Sequence, residues 1–227
     1  MTNEEIQGIM NSTFGGLAIF CRDAELDEIL ISKYQPNQII MERGFTDVSH
    51  KIGGISKNCR YLIASSKGKD LSMFSPNPEF GHITIHSKAF FKVLDIQKEN
   101  GKTQILLLNI PEEAVPIFSK SKINIEDKVI ERAIEIFNEH ISSKPLKELQ
   151  AKEWIERTSY PLGMNQKGDF FLDLDNNTKA ESKITENEKQ TEKIEQMQPS
   201  ETLIKKKQEI KTDEIKKKSL WNKLFGK

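Results

Sequence analysis

Asn100-Gly101 sits between two β-rich runs, AFFKVLDIQKE before it and KTQILLLNI after it. The pair accepts positive φ at both central positions of a type I′ turn, so the spacing predicts a hairpin whose register can be calculated. With Glu99 opposite Lys102, Ile96 faces Ile105, Asp95 faces Leu106, Leu94 faces Leu107, Val93 faces Leu108 and Phe91 faces Ile110. Alternation then puts Phe91, Val93, Leu106, Leu108 and Ile110 on one side and Leu94, Ile96, Ile105 and Leu107 on the other. Both sides are apolar. A hairpin of this kind has to be covered on both faces and belongs at the centre of a domain.

The rest of the chain supplies partners for it. Thr2 and Glu5 have capping-box spacing, which predicts a short first helix running to about Asn11, with Gly15-Gly16 as its stop. Leu17–Cys21 reads as a strand, and Leu26, Ile29, Leu30 and Tyr34 recur at helical spacing. The segment 37–43 fits either a strand or a helical turn, and 45–58 reads as a loop. Arg60–Ser65 and Leu71–Phe74 read as strands, followed by a turn at Ser75-Pro76-Asn77-Pro78 and a strand at His82–His86. The connections are too short for crossover helices, so the pairing is expected to be mostly antiparallel.

After Pro111 the period changes to 3.6. Asn124 can cap a helix with Ile125, Val129, Ala133, Ile136, Phe137 and His140 or Ile141 on one face and Glu126, Asp127, Glu131 and Glu135 outside. A second helix from Pro145 would carry Leu146, Leu149 and Trp154 or Ile155 up to Tyr160-Pro161. The expected fold class is therefore α+β: a mostly antiparallel sheet centred on a hairpin near residues 89–110, covered by two C-terminal helices. The expected domain is 1–175, followed by a disordered charged tail at 176–227. Charge along this tail is uneven, net −2 over 176–204 and +6 over 205–227, which the neutral total of 34 basic and 34 acidic residues conceals.

Candidate chemistry is sparse. His82-Ile83-Thr84 is similar to the H-x-T element of the two-histidine phosphoesterases, and His140-Ile141-Ser142 offers a second, H-x-S element. That resemblance implies His82 and His140 meeting at one phosphate as acid and base. His82 and His86 have metal-ligand spacing only on a helix; on a strand they stand ~13 Å apart. YLIASSKGKD lacks the first Gly and the magnesium-binding hydroxyl of a phosphate loop, with Ile63 and Asp70 in those places. Asp173 opens a calcium-like run that has Thr178 and Ile184 where Gly and Glu are required. Asp95 is a potentially buried acid. Cys21 and Cys59 read as reduced thiols, and no G-x-S-x-G elbow is present.

One stretch stands apart from its surroundings. In IKKKSLWNKLFGK, a helix would group Leu220, Trp221, Leu224 and Phe225 on one face, ringed by Lys216, Lys217, Lys218 and Lys223. Basic amphipathic segments of this kind dock on anionic bilayers or in apolar grooves of partner proteins. The sequence thus leads to the expectation of a non-enzymatic adaptor, binding a protein partner or an anionic membrane surface through those residues. Its alternative is a small phosphoester hydrolase using His82. No cofactor, metal ion or nucleic acid is expected to bind. The acidic N-terminus, unlike an export signal, points to the cytoplasm, with peripheral attachment to the inner membrane surface as a further expectation.

Overall fold

In the computed structural model, residues 2–119 and 124–172 are described, all within the first of the two units into which the chain divides, Met1–Leu174 and Asp175–Lys227. Helix α1 (Asn3–Phe14) opens the chain under a capping box in which Thr2 N donates to Glu5 Oε2 at 2.7 Å and Glu5 N donates to Thr2 Oγ1 at 3.2 Å. Then follow β1 (Ala18–Ala24), the short α2 (Glu28–Ile31), β2 (Ile39–Glu42), β3 (Thr46–Ser49), β4 (Cys59–Ser65), β5 (Lys69–Asp70), β6 (His82–Ile85), β7 (Ala89–Glu99) and β8 (Lys102–Ile110). Helices α3 (Val115–Phe118), α4 (Asn124–His140) and α5 (Lys152–Thr158) complete the described strands and α-helices. This is a mixed α/β fold with a large, mostly antiparallel sheet and few helices.

The sheet runs β2-β7-β8-β4-β1-β3-β6-β5. Between β1 and β3 it is joined by the single pair Cys21↔Ser49, and there it turns on itself. Val48, Ile83 and Ile85 consequently share one core with Phe20, Tyr61, Ile63, Phe91, Val93, Ile105 and Leu107. The opposite face of the long half carries a second core, in which Leu62, Leu94, Leu106, Leu108 and Ile110 meet Ile9, Phe118, Val129, Ala133 and Ile136 from the helices.

The central hairpin forms with Asn100 at φ 51° and Gly101 at φ 73°, the positive values that a type I′ turn requires. Its register follows the expectation from Glu99↔Lys102 to Asp95↔Leu106 and then departs from it. Leu94 is an extra residue at a bulge, so Val93 pairs with Leu107, Phe91 with Asn109 and Phe90 with Ile110. A bulge reverses the alternation beyond it. Phe91 and Val93 therefore join Ile105 and Leu107, not Leu106 and Leu108, while Leu94 crosses to the second core.

Other expectations change for equally local reasons. β4 and β8 pair in parallel, Cys59↔Thr103 through Ala64↔Leu108, because β5, β6 and β7 provide the return path that a crossover helix would otherwise make. β3 occupies part of the segment expected to be a loop, and residues 72–74 form a 3-10 turn rather than a strand. Glu126, expected outside, is buried because Lys92 on β7 donates to both its carboxylate oxygens at 3.0 and 3.1 Å. Helix α4 packs on β7 and β8, whereas the short α5 lies beside β1 and β3. Gly54 has no room for a Cβ, which would stand 2.0 Å from Ser143 O, and this close approach lets the chain leading to α5 cross the 53–54 turn.

Candidate anion-binding cleft

Arg22 lies on β1 between Phe20 and Ala24, on the face that β1 turns towards the first core. It is 5% exposed, and its neighbours are arranged around the guanidinium. Nη2 donates to the carbonyls of Thr158 at 2.9 Å and Tyr160 at 2.6 Å, at the C-terminal end of α5. The guanidinium carbon stands 5.8 Å from the centre of the Tyr61 ring. Nε is buried with no hydrogen-bond partner, and among the described residues no carboxylate forms an ion pair with this arginine. Burial draws its pKa below the ordinary arginine value, an effect that Tyr61 and Glu42 partly offset.

Arg22 forms one wall of a cleft of about 420 Å³, within the range of small-molecule sites. Glu42, Phe45, Arg157, Tyr160, Met164 and Phe171 line it as well. Glu42, at the end of β2, accepts from the backbone N–H of Gly44 at 2.9 Å and of Gly163 at 2.8 Å, so its carboxylate is held in place. Phe45 is 68% exposed, and the Phe171 ring lies 4.7 Å from the guanidinium carbon of Arg43.

The strap of residues 160–171 forms the remaining wall, and two buried tyrosines pin it. Tyr34 and Tyr61 share a hydroxyl hydrogen bond of 2.7 Å. Tyr34 donates to Leu162 O at 2.6 Å, and Tyr61 accepts from Leu162 N at 3.2 Å. Burial pushes both phenols well above their usual value, so they act as neutral hydrogen-bonding posts. Gly163 adopts φ +75°, and a Cβ there would sit 3.0 Å from Ile40, which makes glycine the residue for this bend.

Beside the cleft, Asp47 on β3 accepts from His82 Nε2 at 2.8 Å and stands 3.4 Å from Arg157 Nη1. The His82 ring packs edge-on against Trp154 of α5, centroids 5.8 Å apart. His82 thus meets Asp47 and Trp154. His140 ends α4, its buried Nδ1 has no partner, and burial lowers its pKa, followed in effect by the charge of Arg60. The two histidines thus have different neighbours, on different elements.

His86 lies exposed just beyond β6, its Nδ1 against Ser87 O at 2.8 Å. Among the described residues, no group of three or more His, Cys, Asp or Glu is arranged to hold a metal ion. Asp95, at the bulge, accepts from Gln97 Nε2 at 2.5 Å. Cys21 and Cys59 are free and buried, and they lie in different cores. Burial pushes the Cys21 thiol up to about 12 and raises Cys59 too, so neither is a ready nucleophile. Among the described residues no helix is long and apolar enough to cross a membrane. The calcium-like run from Asp173 and the peptide containing Lys216, Lys217, Lys218, Leu220, Trp221, Lys223, Leu224 and Phe225 lie outside the described residues.

The sequence offered no motif for Arg22, Glu42, Phe45, Arg157 or Phe171. One signal was available: an arginine at every-other-residue spacing between Phe20 and Ala24 is placed on a core-facing side. No protein-family model and no curated protein matches the chain. Solved structures do match, among them several bacterial proteins named as ADP-ribosyltransferases. HopU1 of Pseudomonas syringae pv. tomato is 18% identical with a TM-score of 0.39, over 41% of this chain and 45% of its own. Exoenzyme S from Pseudomonas aeruginosa, bound to carba-NAD, is 16% identical with a TM-score of 0.39, over 55% of this chain and 62% of its own. An ADP-ribosyltransferase from Clostridium botulinum is 13% identical with a TM-score of 0.37, over 47% of this chain and 66% of its own.

The chain thus spans less than half of HopU1. At these identities and TM-scores no residue role passes from these proteins to this one. Their names are nevertheless those of enzymes, against the expectation of a non-enzymatic adaptor, which is corrected accordingly.

Proposed function

We propose that the chain is an enzyme that holds a phosphate-bearing nucleotide in this cleft, with ADP-ribosyl transfer from NAD as the reaction. The observation that supports it is Arg22, a buried cation in the cleft lining whose Nε has no hydrogen-bond partner and which forms no ion pair with a carboxylate among the described residues. Burying a charge without a direct ion-pair partner is costly, and an anion entering the cleft would relieve that cost. Arginine suits phosphate because its donors form a rigid fork. Phe45 and Phe171 offer ring faces on which an aromatic base can stack. Glu42 presents a fixed negative charge in the same space, suited to a cation developing at the sugar carbon of a bond being broken.

NAD supplies, when bound, a labile bond between ribose and nicotinamide. The chain's own part is to orient the phosphates with Arg22, exclude water with Phe45 and Phe171, and stabilise positive charge with Glu42. The test is release of nicotinamide from NAD, followed by chromatography, for the parent, Glu42→Gln and Arg22→Lys. The parent should release nicotinamide, and loss of Glu42's charge should slow release about a hundredfold. A parent that neither binds nor consumes NAD at about 1 mM would contradict the proposal.

A further inference from the structure

We propose that Asp47, braced by His82, is a positioning residue that holds Arg157 at the rim of the cleft as its second cation. The inference rests on the nucleotide reading above and adds a role for residues outside the pocket lining. Arg157 projects from α5 with its side chain 51% exposed. A side chain of that length loses rotamer freedom when fixed, so a free arginine at a rim is a poor ligand. Here one carboxylate oxygen lies near it: Asp47 Oδ2, 3.4 Å from Nη1.

The carboxylate is itself fixed. An ionised carboxylate only accepts, so His82 Nε2 carries the proton of the 2.8 Å bond to Asp47 Oδ1. His82 is in turn immobilised, 6% exposed, between its strand and the Trp154 ring. β3 and β6 pair with Asp47 opposite Thr84 and Ser49 opposite His82, which sets the two side chains diagonally across the ladder. Trp154 and Arg157 belong to the same short helix, so one contact seats α5 and the other aims its arginine.

Charge makes the proposal decidable. Asp47 is an anion beside a site proposed for anions, so a carboxylate that merely sat nearby would weaken phosphate binding. Removing it would then tighten binding. A positioning role predicts the opposite sign.

The experiment is calorimetric titration of the full-length protein with ADP-ribose, and with adenosine as the uncharged probe, for the parent, D47N, R157Q and D47N/R157Q. R157Q should weaken ADP-ribose about tenfold and D47N about fivefold. D47N should cost nothing further in the R157Q background, and adenosine affinity should not change in any variant. Tighter ADP-ribose binding by D47N, equal losses in both backgrounds, or a parallel loss for adenosine would each overturn the proposal. If D47N fails to fold, His82→Leu keeps the carboxylate and removes its brace; it should weaken ADP-ribose about threefold, and unchanged affinity would count against the role. A parent that does not bind ADP-ribose removes the nucleotide reading and this inference together. A parent that binds it while D47N binds equally well removes this inference alone.

Discussion

Arg22 and Arg60 stand on neighbouring strands, both almost wholly buried, and the chain treats them in opposite ways. Arg60 Nε and Nη2 meet the two carboxylate oxygens of Asp23 at 2.6 and 2.8 Å. Its Nη1 and Nη2 also donate to the carbonyls of Gly53 at 2.8 Å and Gly54 at 3.1 Å. Burial works against the charge of Arg60, but Asp23 more than reverses this and leaves its pKa above the ordinary value. Arg22 has two carbonyls, an orphaned Nε and a pKa drawn down. One arginine is a finished internal tie between β1, β4 and the 53–54 turn. The other is held in position without an ion-paired carboxylate among the described residues, and it lines the cleft.

The comparison predicts unequal costs. Arg60→Met would leave Asp23 largely buried without its counter-charge and should lower stability by about 3 to 5 kcal/mol in urea unfolding. Gly163→Ala, which forces a side chain into a left-handed bend against Ile40, should cost about 2 kcal/mol by the same measurement. Tyr34→Phe removes the hydroxyl that ties the strap to Tyr61 and Leu162 and should cost about 1 kcal/mol. Arg22→Met should change stability least, by under about 1 kcal/mol, because lost bonds to two carbonyls are offset by removal of a buried unpaired charge. Equal losses for the Arg22 and Arg60 variants would break the contrast.

Much of the sheet was legible because alternation and turn chemistry are local. The Asn100-Gly101 turn, the register as far as Asp95 and the capping box at Thr2 follow from residues close in sequence. The bulge at Leu94 does not, since it depends on which face of β7 meets the helices and which meets the folded-over half of the sheet. Glu126 was misplaced for a similar reason: its partner Lys92 is 34 positions away on a strand. The cleft was not legible at all. It joins β1, the end of β2, the C-terminal end of α5 and the 160–171 strap, and no short pattern spans that distance. Histidine spacing drew attention to His82, whose observed partners are Asp47 and a tryptophan rather than His140 or His86.

The account turns on whether Arg22 is kept charged for a ligand. Calorimetric titration of ADP-ribose into the parent protein and Arg22→Met, with urea unfolding of both alongside, tests this directly. The account predicts saturable binding by the parent, binding weaker by about a hundredfold in the variant, and nearly equal stabilities. Equal affinity in the two proteins, or loss of binding that only accompanies loss of the fold, would contradict it.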